Sequence, residues 1–144
     1  MNKKPIIAVS GGFDPIHIGH IRMIQDASRY GDVLVILNSD DWLMRKKGYV
    51  FMEWEERAEI AGNIKGVKFV TQVDDSDNTV CEALKRLKPD VFANGGDRKQ
   101  TNTPEMDLCE QIGIEMMWCV GGNDKPQSSS WLVNKIKEKI NEHK

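Results

Sequence analysis

Short apolar runs alternate with stretches of mixed polarity along this chain. Ile6–Val9, Val33–Leu37, Val67–Val70, Val91–Ala93 and Ile114–Val120 are brief and apolar, and most are rich in β-branched residues, which predicts strands. Between them, apolar residues recur at helical spacing near Ile18–Tyr30, Glu53–Ile64, Thr79–Leu87 and Glu105–Ile112. A last helix is expected over Ser129–Glu142, where Leu132, Ile136 and Ile140 share one face. This alternation predicts an α/β protein: a Rossmann-like open parallel sheet with helices on both faces, a single domain over residues 1–144. The connections are short, with no repeat, linker or low-complexity segment.

Open parallel sheets bind ligands outside the carboxyl ends of their strands, where the strand order reverses. The loops after the predicted strands should therefore carry the chemistry, and they are polar. They are Ser10–His20, Asn38-Ser39-Asp40, Asn94-Gly95-Gly96-Asp97-Arg98 and Gly121–Ser130. The dinucleotide fingerprint GxGxxG is absent after the first strand, which argues against an NAD-type site.

The first loop reads Gly11-Gly12-Phe13-Asp14-Pro15-Ile16-His17-Ile18-Gly19-His20 and runs into a helix. Two histidines three apart at a helix start lie on one face. The unpaired N–H groups and partial positive charge of that helix end suit an anion such as phosphate. Gly11 and Gly12 are expected to let the backbone turn sharply against a ligand. Gly19 is expected to leave a gap between the two rings. The string Gly-x-Phe-Asp-Pro-x-His-x-Gly-His resembles the HxGH signature of the nucleotidyltransferase superfamily. Further matches point to its cytidylyltransferase-like branch, which holds glycerol-3-phosphate cytidylyltransferases and the nucleotidyltransferase domain of bifunctional heptose-phosphate enzymes. They are Asn38-Ser39-Asp40, Arg45-Lys46-Lys47-Gly48, Glu55-Glu56-Arg57 and the Gly-Gly-Asp at 95–97.

The resemblance implies a role for each of these positions. His17 and His20 would stabilise the triphosphate, in a nucleotide loop that includes Gly11, Gly12, Phe13, Asp14 and Gly19. Lys47, or its neighbour Lys46, would neutralise phosphate charge; read without the resemblance, that basic run is a mobile arm or a solvated loop. Arg57, Asn38 and Asp40 would line the acceptor pocket, although Arg57 otherwise reads as an exposed residue pairing with Glu53. Gly95 and Asp97 would sit at the base or ribose, or else form a simple turn. Ser128, Ser129 and Ser130 would hold the departing phosphates at a second helix N-terminus, where a serine cap needs no further explanation. Mg²⁺ would arrive with the nucleotide, with Asp14 a candidate for its shell. Family relatives are often homodimers.

Composition narrows the alternatives. A formal net charge of −2 provides no basic field for nucleic acid, which argues against a tRNA-ligand enzyme that shares HxGH-like motifs. Three cysteines without a Cys-x-x-Cys pair argue against a disulfide framework or a zinc site, and predict buried thiols at Cys81 and Cys119. The first apolar run is too short for a leader or a membrane span, so a cytoplasmic protein is expected. The four tryptophans read as packing residues.

The implied reaction is transfer of a nucleoside monophosphate from an NTP to a phosphorylated small molecule, with release of pyrophosphate. CTP is the first expectation for the nucleotide, and a polyol, sugar or amino-alcohol phosphate for the acceptor. ATP with a heptose-type sugar phosphate is the alternative, since the heptose-phosphate relatives use ATP. Glycerol-3-phosphate enzymes carry an Arg-Thr-Glu-Gly-type segment before the last helix, and Gly121–Gln127 here contains no arginine. A regulatory nucleotide-binding protein without turnover is the alternative of another class.

Overall fold

In the computed structural model, which describes residues 4–95 and 103–120, five strands form one parallel sheet in the order β3-β2-β1-β4-β5. The strands are β1 Ile6–Gly11, β2 Asp32–Leu37, β3 Val67–Thr71, β4 Val91–Gly95 and β5 Glu115–Val120. β1 pairs with β2 over its whole length and with β4 at Ile7 and Ala8. The strand order therefore reverses beside β1, and the crevice at its carboxyl end is the expected ligand position. The five helices of the described residues are α1 Ile18–Ser28, α2 Asp40–Lys47, α3 Trp54–Gly62, α4 Cys81–Leu87 and α5 Pro104–Ile112. The expected helix over Ser129–Glu142 lies outside the described residues.

Successive strand residues face opposite ways, so the sheet buries two cores. Ile7, Val9, Val33, Val35, Leu37, Val91 and Ala93 pack beneath Ile24 and Ala27 of α1 and Ala61 of α3. Ala8, Leu34, Ile36 and Phe92 pack beneath Ala83 and Leu84 of α4 and Leu108 and Cys109 of α5. Helices on both faces explain why β1, β2 and β4 read as unbroken apolar runs. Among the described residues no helix is long and apolar enough to cross a membrane.

Two expectations are corrected here. Asp40–Lys47 is a helix, not a loop or arm: Ser39 caps its start by accepting from Trp42 N at 3.0 Å, and Gly48 closes it at φ 84°. Of the two cysteine side chains described, Cys109 is fully buried, its thiol pushed up to about 11 chiefly by burial, whereas Cys81 is half-buried. The side chain of Cys119 lies outside the described residues.

Candidate active site

Between β1 and α1 the chain reverses, and the turn does not fall where the glycines predict. Gly11 and Gly12 have ordinary backbone angles, and the positive φ lies on Phe13, at 52°. The ring of Phe13 is buried, which holds a non-glycine residue in that sparsely populated region. The two glycines act through their size. A Cβ on Gly12 would stand 2.8 Å from Leu43 Cδ2 and 3.3 Å from Trp42 Cζ3, so a side chain there would force the Leu43 and Trp42 side chains of α2 to shift. A Cβ on Gly11 would stand 2.9 Å from the ring of Phe13.

The two histidines form a reciprocal cap at the start of α1. His17 is the N-cap, and its Nδ1 accepts from Gly19 N at 3.0 Å. His20, at the third helical position, turns its Nδ1 back to accept from His17 N at 3.2 Å. This is the geometry of a capping box, with imidazoles in place of hydroxyl and carboxylate. The rings stack with centroids 3.9 Å apart at 25°, and Phe13 lies 4.4 Å from His20. No gap separates the rings as expected, and Gly19 contributes its N–H instead. A nitrogen that accepts a hydrogen bond carries no proton, so each neutral ring has its proton on Nε2. Both imidazoles are thus set as Nε2–H donors at the positive end of a helix.

Lys47, at the end of α2, reaches this loop. The Lys47 ammonium donates to Asp14 O at 2.7 Å and to Asp14 Oδ2 at 3.3 Å, and lies 4.8 Å from the centre of the Tyr49 ring. Lys46 lies instead over Trp42, at 4.6 Å. Asp14 is 1% exposed, and its carboxylate also accepts from Phe51 N at 2.8 Å and Met52 N at 2.7 Å. Three donors therefore occupy the carboxylate considered for a metal shell. Among the described residues no group of three or more His, Cys, Asp or Glu is gathered for a metal ion. The donor set of the described residues does not fit a metal held by side chains.

Arg57 departs furthest from its surface reading. It is 0% exposed and makes no pair with Glu53. Its Nε donates to Met52 O at 2.9 Å, one terminal nitrogen donates to Gly12 O at 2.7 Å and Asn38 O at 2.8 Å, and the other donates to Asp40 Oδ1 at 2.6 Å. One planar group thus ties together the loop after β1, the loop after β2 and the turn before α3, using the fixed fork that distinguishes arginine. The three residues expected at the acceptor are wired to one another. Asn38 and Arg57 lie inside the wall, while the Asp40 side chain is 39% exposed.

A residue that the sequence reading passed over completes this wall. Asp75, 3% exposed and set between β3 and α4, accepts from Asn38 Nδ2 at 3.1 Å, Ser39 N at 2.8 Å and Ser39 Oγ at 2.6 Å. Arg45 approaches it from α2 and donates to its backbone oxygen at 2.7 Å. Its position in Asp74-Asp75-Ser76-Asp77, among residues that read as a solvated turn, hides it in the sequence. Gly95 ends β4 beside β1, on the other side of the crevice. Asp97, Ser128, Ser129 and Ser130 lie outside the described residues.

Comparison with known proteins places this geometry in context. Residues 8–134 match the profile of a family described as cytidylyltransferase-like. The chain is 32% identical over 138 residues to a bifunctional protein HldE of Syntrophotalea carbinolica, a match covering 92% of this chain and 27% of that protein. It is 37% identical over 114 residues to the protein of the same name from Sulfurimonas denitrificans, covering 77% and 24% respectively. The chain thus spans about a quarter of the length of the curated relatives it matches. Among solved structures, a lipopolysaccharide core biosynthesis protein from Thermoplasma volcanium shares the fold with a TM-score of 0.66 at 20% identity, covering 80% of this chain and 93% of that one. A putative nicotinate-nucleotide adenylyltransferase from Vibrio parahaemolyticus shares it with a TM-score of 0.61 at 17% identity, covering 94% and 88%.

Proposed function

Since this chain belongs to the cytidylyltransferase-like family, we propose that it transfers a nucleoside monophosphate from an NTP to a phosphorylated small molecule and releases pyrophosphate. The observation that carries this reading is the His17–His20 capping box at the carboxyl end of β1. An oxygen of the acceptor phosphate, already anionic, attacks the α-phosphorus in line, and the bond to the pyrophosphate oxygen breaks. No base and no covalent intermediate are needed, so the protein acts by position and by charge. The Nε2–H groups of His17 and His20 donate to phosphate oxygens as charge develops on them. Lys47 supplies the ammonium, and the serines at 128–130 would receive the departing pyrophosphate. Mg²⁺ enters as part of the nucleotide substrate, held by phosphate oxygens and water.

ATP, rather than CTP, is the nucleotide this reading favours, with a sugar phosphate of the heptose type as acceptor. Its support is the run of relatives: the curated proteins matched at 30–37% identity carry the name of the bifunctional heptose-type enzymes. The segment without arginine at 121–127 agrees with it. A homodimer belongs to the same reading and is checked by light scattering.

The test is pyrophosphate release with Mg²⁺ and ATP or CTP against heptose, glycerol and ethanolamine phosphates. Release with ATP and the heptose phosphate is expected. His17→Ala and His20→Ala should each lose about 10²- to 10³-fold in turnover. Circular dichroism controls for the lost cap, which costs about 1 kcal/mol. Near-normal turnover in either variant would remove the histidines from the mechanism. Nucleotide binding without transfer would leave a binding protein.

A further inference from the structure

The Lys47–Asp14 contact holds a second feature that the reaction as stated does not use. Beyond the left-handed Gly48, the chain runs back over the motif loop. There the buried Asp14 carboxylate pins it through the amides of Phe51 and Met52, at 2.8 and 2.7 Å. Arg57 fixes the same stretch from the other side through Met52 O. The backbone at Phe51 is therefore held by hydrogen bonds, yet the residue is 53% exposed, more than any other large apolar residue that stands exposed among the described residues. The amide of Phe51 and the ammonium of Lys47 bind the same carboxylate oxygen, so the ring is carried on a segment that touches the phosphate-binding lysine. Tyr49 lies on the same segment, its ring beneath that ammonium.

We infer that Phe51 is a specificity residue for the acceptor: its ring is the wall on which the body of a ring-form sugar phosphate lies while Lys47 takes the phosphate. This rests on the transferase reading above. The chemistry is that of aromatic faces generally. The π face is negative, and the polarised C–H bonds along one side of a pyranose are positive, so the two stack as they exclude water. A rigid backbone makes such a wall effective, because little ordering entropy is lost on binding. An open-chain polyol phosphate offers no comparable face.

Steady-state kinetics on Phe51→Ala and Phe51→Trp, with a heptose 1-phosphate and ATP as substrates, provide the test. The alanine variant should raise KM for the sugar phosphate about tenfold or more. The effect should fall on KM rather than kcat, leaving KM for ATP and its calorimetric affinity unchanged. The tryptophan variant should restore the wild-type KM. An unchanged sugar-phosphate KM in Phe51→Ala overturns the inference. So does a change of oligomeric state by light scattering with KM intact, which would make the ring a contact between copies. Wild-type protein that binds ATP but transfers to no sugar phosphate would overturn the sugar-phosphate acceptor on which the inference rests, and the inference with it.

Discussion

Arg57 shows how a single buried side chain can hold separate parts of a site together. Its guanidinium is fully buried and satisfies three backbone oxygens and one carboxylate from separate parts of the chain. Arg57→Met keeps much of the volume and removes the charge. It leaves the oxygens of Gly12, Asn38 and Met52 without that donor and strands Asp40. Leaving a buried acceptor unpaired in this way costs about 1–3 kcal/mol. The variant should show that loss as a lower urea midpoint, and an unchanged midpoint would rule out the clamp. The sequence could not reveal this role, because Glu55-Glu56-Arg57 reads as solvated helix surface and its partners lie up to 45 positions away. By contrast, the histidine pair was legible, since its cap closes within four residues.

At the scale of elements, α2 is the informative case. It buries only Leu43, so it has no apolar stripe for a periodicity argument to find. Its caps and charges nonetheless fit a helix: Ser39 before it, Asp40 and Asp41 in the first turn, Arg45, Lys46 and Lys47 in the last, and Gly48 after it. These local signals were present in the sequence, and the expected basic arm was in fact a helix end. Its start depends on a distant residue as well, because Ser39 Oγ accepts from Trp42 N and donates to Asp75 Oδ1. Ser39→Ala should cost about 1 kcal/mol. Asp75→Asn, which sets an amide against donors, should cost about 1–3 kcal/mol. The two share one hydrogen bond, so the double variant should lose less than the sum by about 0.5 kcal/mol or more. Strict additivity in urea unfolding would separate the cap from Asp75.

At the scale of the whole molecule, the sheet order makes the crevice. β1 lies between β2 and β4, so the loops that leave it and its neighbours diverge to opposite faces, and a ligand can enter between them. A ligand that binds only the folded form stabilises it by mass action, by about 2.7 kcal/mol at a concentration a hundred times its Kd. Thermal unfolding with Mg²⁺ and either nucleotide at equal concentration therefore reads the base preference of the whole molecule. ATP should raise Tm by several degrees and by more than CTP does. A larger shift with CTP would return the reading to cytidylyl transfer.

The sequence by itself determined the α/β class, the strands to within a residue or two, the position of the motif loop and the pairing of His17 with His20. All of these follow from local periodicity, caps and spacing, which a short stretch of chain carries within itself. Only the tertiary structure decided that Lys47 reaches the loop, that Asp14 is a buried staple and not an open carboxylate, and that Arg57 and Asp75 bind the walls together. Each of those roles depends on a partner more than fifteen positions away. A hydrogen bond of that span exists only once the sheet has brought the loops after its strands to one end, and no local pattern records it.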